Sequence, residues 1–336
     1  MDCGGEEREA LLLPSCEITV RYAGVADCST LHPMINRPVF MILCHADARL
    51  FHRLVGRLAA IGHVVAHVDR KADQQAFEHA AVSFAPDRVD VKWAGYSMVR
   101  ATLSLLRFAL ERHPGASHYV LLSGADYPVK RNEEIAAFFA KHRGRNLIKF
   151  YDARQAAHSM RSLLNYHFHD YLPSRPPMAL KAIRRVAELL ARPFKRKLPS
   201  GLIPCFGSQW WAVTGECAAY ILEESGRTAF WRSFWKHVFA PDEFYFHTLV
   251  GNSPFLKVST GFVPFQGRGT WRLANFHIIH PSLTKVYAMD DYEDIRDAKM
   301  MFVRKMASGT SGSLLDRLDS DASHDLSDSS SARLTS

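Results

Sequence analysis

The first sustained hydrophobic pattern begins near residue 37. Val39 to Cys44 is an unbroken apolar run with the length of one buried strand. Ala48 to Ile61 then spaces Leu50, Phe51, Leu54 and Leu58 at helical intervals before Gly62 stops it. Val64 to Val68 is a second strand-like run, ending in Asp69. Ser97 to His113 predicts a helix with Ser97 at its N-cap, followed by a strand over Tyr119 to Leu122 and a sharp loop at Gly124-Ala125-Asp126-Tyr127-Pro128. This alternation predicts a layered α/β domain with a largely parallel central sheet flanked by helices. Ligands of such sheets collect at the carboxyl ends of the strands, which is where Asp69 and the Ser123 to Pro128 loop fall.

The pattern is missing at both ends. Residues 1 to 36 mix Gly, acidic and short apolar pieces and read as an unstructured leader, with Met34 as an alternative start just before the regular part. Residues 307 to 336 are rich in Ser and Asp, a composition that predicts a disordered tail. Residues 37 to 306 between them read as one domain.

Composition narrows the class. Hydrophobic residues are 47% and charged residues 23% of the 336, which excludes wholesale disorder, collagen and coiled coil. Forty-two Lys and Arg against 34 Asp and Glu leave a net charge of +8, an excess that favours anionic partners. Part of it is concentrated between Arg175 and Pro204, in Lys181, Arg184, Arg185, Arg192, Lys195, Arg196 and Lys197. That basic amphipathic stretch is either a contact for anionic lipid or an acidic acceptor, or a solvated helix face. No apolar run reaches the roughly 18 to 20 residues of a membrane span, and Met1 to Pro14 lacks the basic start of a signal peptide. Cysteines 3, 16, 28, 44, 205 and 217 form no CxxC pair and read as a reduced, cytoplasmic set.

Four segments carry candidate chemistry. Pro241-Asp242-Glu243-Phe244 puts two carboxylates before an apolar helical run, as helix-dipole partners or with Glu243 as a general base. Arg304-Lys305, after a helix-like stretch from Ile295 to Phe302 and with Arg272 upstream, is a diphosphate clamp or a solvated basic pair. Gly207-Ser208-Gln209-Trp210-Trp211 suits a sugar-stacking wall or an aromatic corner of the core. Trp93-Ala94-Gly95-Tyr96-Ser97 is a Gly-bearing turn that receives a ligand or joins two elements. P-loop, Rossmann and common zinc motifs are absent, and no nucleic-acid module is recognised.

Taken in order, these segments resemble the core-2/I-branching β-1,6-N-acetylglucosaminyltransferase and peptide O-xylosyltransferase family, glycosyltransferase family 14, and its bacterial members in particular. The blocks are His67-Val68-Asp69-Arg70-Lys71, Val91-Lys92-Trp93-Ala94-Gly95-Tyr96-Ser97, Leu122-Ser123-Gly124-Ala125-Asp126-Tyr127-Pro128, Gly207 to Trp211, and Pro241 to Phe244 running on to Asn252-Ser253-Pro254. Looser matches are Trp271-Arg272-Leu273-Ala274-Asn275-Phe276 and Phe302-Val303-Arg304-Lys305-Met306.

The resemblance implies a GT-A-like fold and an inverting transfer from a UDP-sugar to a carbohydrate or lipid-linked acceptor, with Glu243 as the base. Lys305 and Arg304, with Arg272 as a weaker third, would neutralise the diphosphate, so that no divalent metal and no other cofactor is required. Asp69, Lys71, Trp93, Ser123 and Asp126 would lie on the nucleotide and donor side. Gln209, Trp210 and Trp211 would line the acceptor or donor sugar. Ala94 departs from the family's W-G-G, and Gln209 stands where peptide xylosyltransferases carry Asp, which favours GlcNAc over xylose as the transferred sugar. A peptide O-xylosyltransferase and a non-catalytic nucleotide-sugar-binding protein are the alternatives. The implied setting is cytoplasmic, peripheral to the inner membrane through the 181 to 197 segment, with no nucleic-acid partner.

Overall fold

The computed structural model describes residues 37–173 and 176–323. The expected leader, with Met34, lies outside the described residues. Strands β1 (Val39–Cys44), β2 (His63–Val68), β3 (Val82–Phe84) and β4 (Tyr119–Ser123) run parallel in the order β3-β2-β1-β4. Helix α1 (Ala48–Ala59) joins β1 to β2, and α2 (Tyr96–Arg112) leads into β4. β1 is buried on both faces: Val39 and Met41 enter one apolar cluster, Phe40 and Ile42 the other. That is why it reads as a continuous apolar run and not as an alternation.

Past β4 the chain passes through β5 (Asp126–Pro128), α3 (Asn132–Lys141), β6 (Asn146–Asp152), α4 (Ala157–Leu164) and α5 (Met178–Leu190). It continues through β7 (Cys205–Gly207), β8 (Ala212–Val213), α6 (Gly215–Arg227), α7 (Ala229–Ser233), α8 (Tyr245–Gly251) and β9 (Ser259–Phe262). β8 pairs antiparallel with β4 and β6, and β7 antiparallel with β6, whereas β9 runs parallel to β6. The sheet is therefore mixed, which corrects the largely parallel expectation. A three-residue β7 and a two-residue β8 are too short to show any period, and an apolar run does not disclose its direction.

The last elements are β10 (His277–Ile279), α9 (Tyr292–Asp297), β11 (Phe302–Arg304) and α10 (Gly312–Ser323). β10, β11 and β5 form a small second sheet in that order. Arg304 thus ends a strand instead of following a helix. α10 corrects the expected disordered tail: Leu314, Leu315 and Leu318 are buried beside α1 residues in one cluster. Asp319 accepts from Arg53 Nε at 2.6 Å, Arg57 Nη1 at 3.0 Å and the Tyr127 hydroxyl at 2.6 Å. The folded unit therefore runs past 306 to at least Ser323. Cys44, Cys205 and Cys217 are free buried thiols.

α2 starts one residue earlier than Ser97, at Tyr96, and its first turn is capped from far along the chain. Asp170 accepts from Ser97 N at 3.0 Å and from Ser97 Oγ at 2.6 Å. A Cβ on Gly95 would collide with the Asp170 carboxylate, so the glycine lets the two segments close up.

Candidate active site

A cavity of about 100 Å³ opens at the carboxyl ends of β1, β2 and β4, lined by Cys44, Asp69, Ser123, Gln209, Trp210 and Arg304 among others. Asp69 follows β2 and donates from its N–H to Cys44 O at 2.9 Å, which ties adjacent strand ends together. Its carboxylate accepts Lys71 Nζ at 2.8 Å, and Lys71 also reaches Asp90 Oδ1 at 2.7 Å and Val91 O at 2.6 Å. Arg88 donates to the carbonyls of Val68 at 3.1 Å and Asp69 at 2.9 Å, bracing the same strand end.

Asp126, expected beside the donor, is instead wholly buried. It accepts Ser123 N at 2.8 Å, His277 Nε2 at 3.1 Å and Arg304 Nη1 at 2.8 Å. Burial disfavours its charge, but Arg304 and His277 outweigh that and hold its carboxyl below the ordinary range. Asp126 thus has no exposed surface, and its carboxylate holds the Arg304 guanidinium. The Arg304 guanidinium also lies 4.4 Å from the ring centre of Trp210. Lys305 follows it, half-buried, and burial and the neighbouring Arg304 push its ammonium below the ordinary lysine range. Arg272 does not join them: it is exposed on the turn Thr270–Leu273, its guanidinium 4.1 Å from the centre of the Trp271 ring.

A second cavity, of about 360 Å³, holds Glu243 and Asp242 on the single turn Pro241–Glu243 that enters α8, together with Trp93, Gln209 and Arg268. Ala240 before that turn and Ala94 after Trp93 both adopt left-handed backbone, at φ 49° and φ 58°, and Ala240 N donates to Ala94 O at 3.1 Å. The carboxylate turn and the Trp93 turn are thereby fixed to each other. Burial pushes Asp242 up to about 6, and burial together with the Asp242 charge pushes Glu243 well above the ordinary carboxylate range.

Trp93, expected on the nucleotide and donor side, is 75% exposed and lines this second cavity. Gln209 lines both cavities, and its buried Nε2 has no hydrogen-bond partner. Trp210 belongs to the Arg304 cavity. Trp211 is wholly buried against Phe246, ring centres 5.1 Å apart, and is a core residue rather than a sugar wall. Both tryptophans lie in the link between β7 and β8, and of the two it is Trp210 that lines the cavity.

Three contributors carry no spacing signal in the sequence. His277 reaches Asp126 from β10, and Asn275 donates from Nδ2 to Trp210 O at 2.8 Å while accepting Lys149 N at 3.0 Å. His247 donates from Nε2 to Ser208 O at 3.0 Å, and burial holds its pKa down to about 3, so the ring is neutral beneath the Gln209 loop. A Cβ on Gly207 would run into the His247 ring. Among the described residues, His167, His169 and Glu188 are grouped closely enough for a metal, but Arg184 Nη1 already lies 2.8 Å from both His169 Nε2 and Glu188 Oε1.

A family model described as Core-2/I-Branching enzyme matches residues 39–260. Xylosyltransferase 2 of Homo sapiens is 28% identical over 240 residues, which is 66% of this chain and 25% of that protein. Xylosyltransferase 2 of Rattus norvegicus is 27% identical over 232 residues, 65% of this chain and 25% of that protein. Xylosyltransferase 1 of Canis lupus familiaris is 24% identical over 235 residues, 66% and 23%. The chain thus spans about a quarter of the length of these relatives. They are mammalian, not the bacterial kin expected from the motifs. Arg272, Arg304 and Lys305 fall beyond the residues the family model matches.

Proposed function

The chain belongs to the Core-2/I-branching enzyme family, among the glycosyltransferases, and from that premise we propose an inverting transfer from a UDP-sugar to an acceptor hydroxyl on a GT-A-like scaffold. Glu243 takes the hydroxyl proton as the oxygen attacks the anomeric carbon, the bond from that carbon to the β-phosphate oxygen breaks, and UDP leaves with the electron pair. An α-linked donor so gives a β-glycoside. The observation that carries this reading is the raised carboxylate of Glu243 in a cavity that shares Gln209 with the cavity of Arg304. A carboxylate whose pKa is raised is a stronger base toward an acceptor hydroxyl than an ordinary one.

Negative charge grows on the β-phosphate as UDP departs, and Arg304 with Lys305 supplies fixed positive charge for it. The carboxylates near that cavity are already paired, Asp69 with Lys71 and Asp126 with Arg304 and His277, and this supports a reaction without a divalent metal.

Xylose is the donor sugar the relatives' names support, ahead of the GlcNAc favoured by Gln209 alone. GlcNAc stays the second donor, because the unpartnered Gln209 Nε2 offers a hydrogen bond that an acetamido carbonyl would take. UDP release from UDP-xylose and UDP-GlcNAc in EDTA tests the reading. Release from UDP-xylose undiminished by chelator is expected; loss in EDTA with recovery in Mn²⁺ contradicts the metal-free step.

A further inference from the structure

Helix α5 is turned inside out. Among its residues none is buried, and Met178, Ile183, Val186, Leu189 and Leu190 are 54 to 76% exposed, with Phe194 just beyond at 68%. At about 100° per residue these side chains and Ala182 fall within an arc of roughly 140° on one side of the helix. The side that meets the protein carries a paired charge beside the half-buried Leu180 and Ala187: Arg184 and Glu188 pair at 2.8 Å, Arg184 reaches His169, and Glu188 accepts Phe168 N at 3.3 Å. A globular helix normally does the reverse, burying its apolar stripe and exposing its charges.

The charge around that apolar face has one sign. Lys181 and Arg185 border the arc along one edge, and Arg192, Lys195 and Lys197 follow in the next turn of chain, all exposed. Lys181, Arg185, Arg192 and Lys197 have no acidic partner among the described residues, whereas the two inward groups are paired. An apolar face bordered by unpaired cations on flexible apolar stems matches an anionic lipid surface, where the side chains enter the acyl boundary and the cations reach the phosphates. It matches an apolar protein groove less well, since that would leave the cations uncompensated. No helix among the described residues is long and apolar enough to cross a membrane, so the contact is with one surface.

We propose that the outward face of α5, with the basic residues up to Lys197, docks on an anionic lipid bilayer. Lys181 and Arg184 also line a cavity of about 440 Å³ with Trp93, and Trp93 lines the Glu243 cavity. Docking would therefore set the bilayer beside the entrance to the acceptor side. The proposal does not depend on the transferase reading, because lipid binding is measured without turnover.

The test is co-sedimentation of the full chain with sucrose-loaded vesicles of phosphatidylcholine, with and without phosphatidylglycerol, run beside light scattering of the free protein. The expected result is binding at least tenfold tighter to the anionic vesicles and weakened by salt. A double variant, Ile183→Glu with Leu190→Glu, should lose that binding at least tenfold yet keep its melting temperature and UDP affinity, since both residues are exposed. A second double variant, Lys181→Glu with Arg185→Glu, should lose the preference for anionic lipid. No sedimentation of the wild type overturns the proposal. So does a dimer that Ile183→Glu with Leu190→Glu dissolves without any vesicle binding, which would make the face an interface between two copies.

Discussion

Arg304 donates from Nη1 to Oδ1 of Asp126 at 2.8 Å, joining residues 178 positions apart. The two face each other in register across the antiparallel pair of β11 and β5. One is wholly buried and the other emerges into the cavity at the strand ends, so the carboxylate fixes the cation that the proposed reaction assigns to the diphosphate.

Asp126→Asn removes the negative charge from between Arg304 and His277. Breaking a buried pair from one side costs about 3–5 kcal/mol. A lower urea midpoint is expected, with UDP affinity by calorimetry falling at least tenfold. Arg304→Lys keeps the charge but not the planar fork or its stacking on Trp210, and should weaken UDP binding with little loss of stability. Unchanged affinity in both would show that this pair does not serve the nucleotide.

The acid limb of the rate profile should report the Asp242–Glu243 pair. As the proposed general base Glu243 would act only when ionised, and burial plus the Asp242 charge raise its pKa, so kcat/KM should fall at a pH above the ordinary carboxylate range. Asp242→Asn removes the like charge and favours ionised Glu243. The limb should then move to lower pH, measured as initial rates across pH; a limb that moves upward or stays would contradict the coupling.

α10 should behave as part of the folded unit. Leu314→Ala deletes a fully buried side chain and is expected to cost about 2–5 kcal/mol in urea unfolding. Truncation after Met306 also removes Asp319, the shared acceptor of Arg53, Arg57 and Tyr127, and should lower the melting temperature further. Indifference to both changes would mean that the helix is not needed for stability.

The parallel half of the sheet was legible because β1, β2 and β4 are long enough, and apolar enough, to stand out between helical periods. The antiparallel half was not, since strands as short as Ala212–Val213 owe their existence to neighbours rather than to their own pattern. The Ser and Asp content of 307 to 336 masked Leu314, Leu315 and Leu318, whose burial depends on α1 lying alongside. Among the cavity-lining residues, Glu243, Arg304 and Gln209 were named from motif order. The burial of Asp126 and Trp211 was not, because spacing names a residue near a strand end but not the side on which it points. His277 and Asp170 act across 151 and 73 residues, distances over which local pattern carries no information.

The most direct measurement is UDP release and sugar transfer by Glu243→Gln beside the wild type, with UDP binding followed in both. Loss of the general base is expected to lower turnover about 10²- to 10⁴-fold while UDP affinity stays within about twofold. Wild-type turnover in Glu243→Gln would contradict the assignment of the base, and an absence of turnover in the wild type despite tight UDP binding would turn the account toward a protein that only binds the nucleotide sugar.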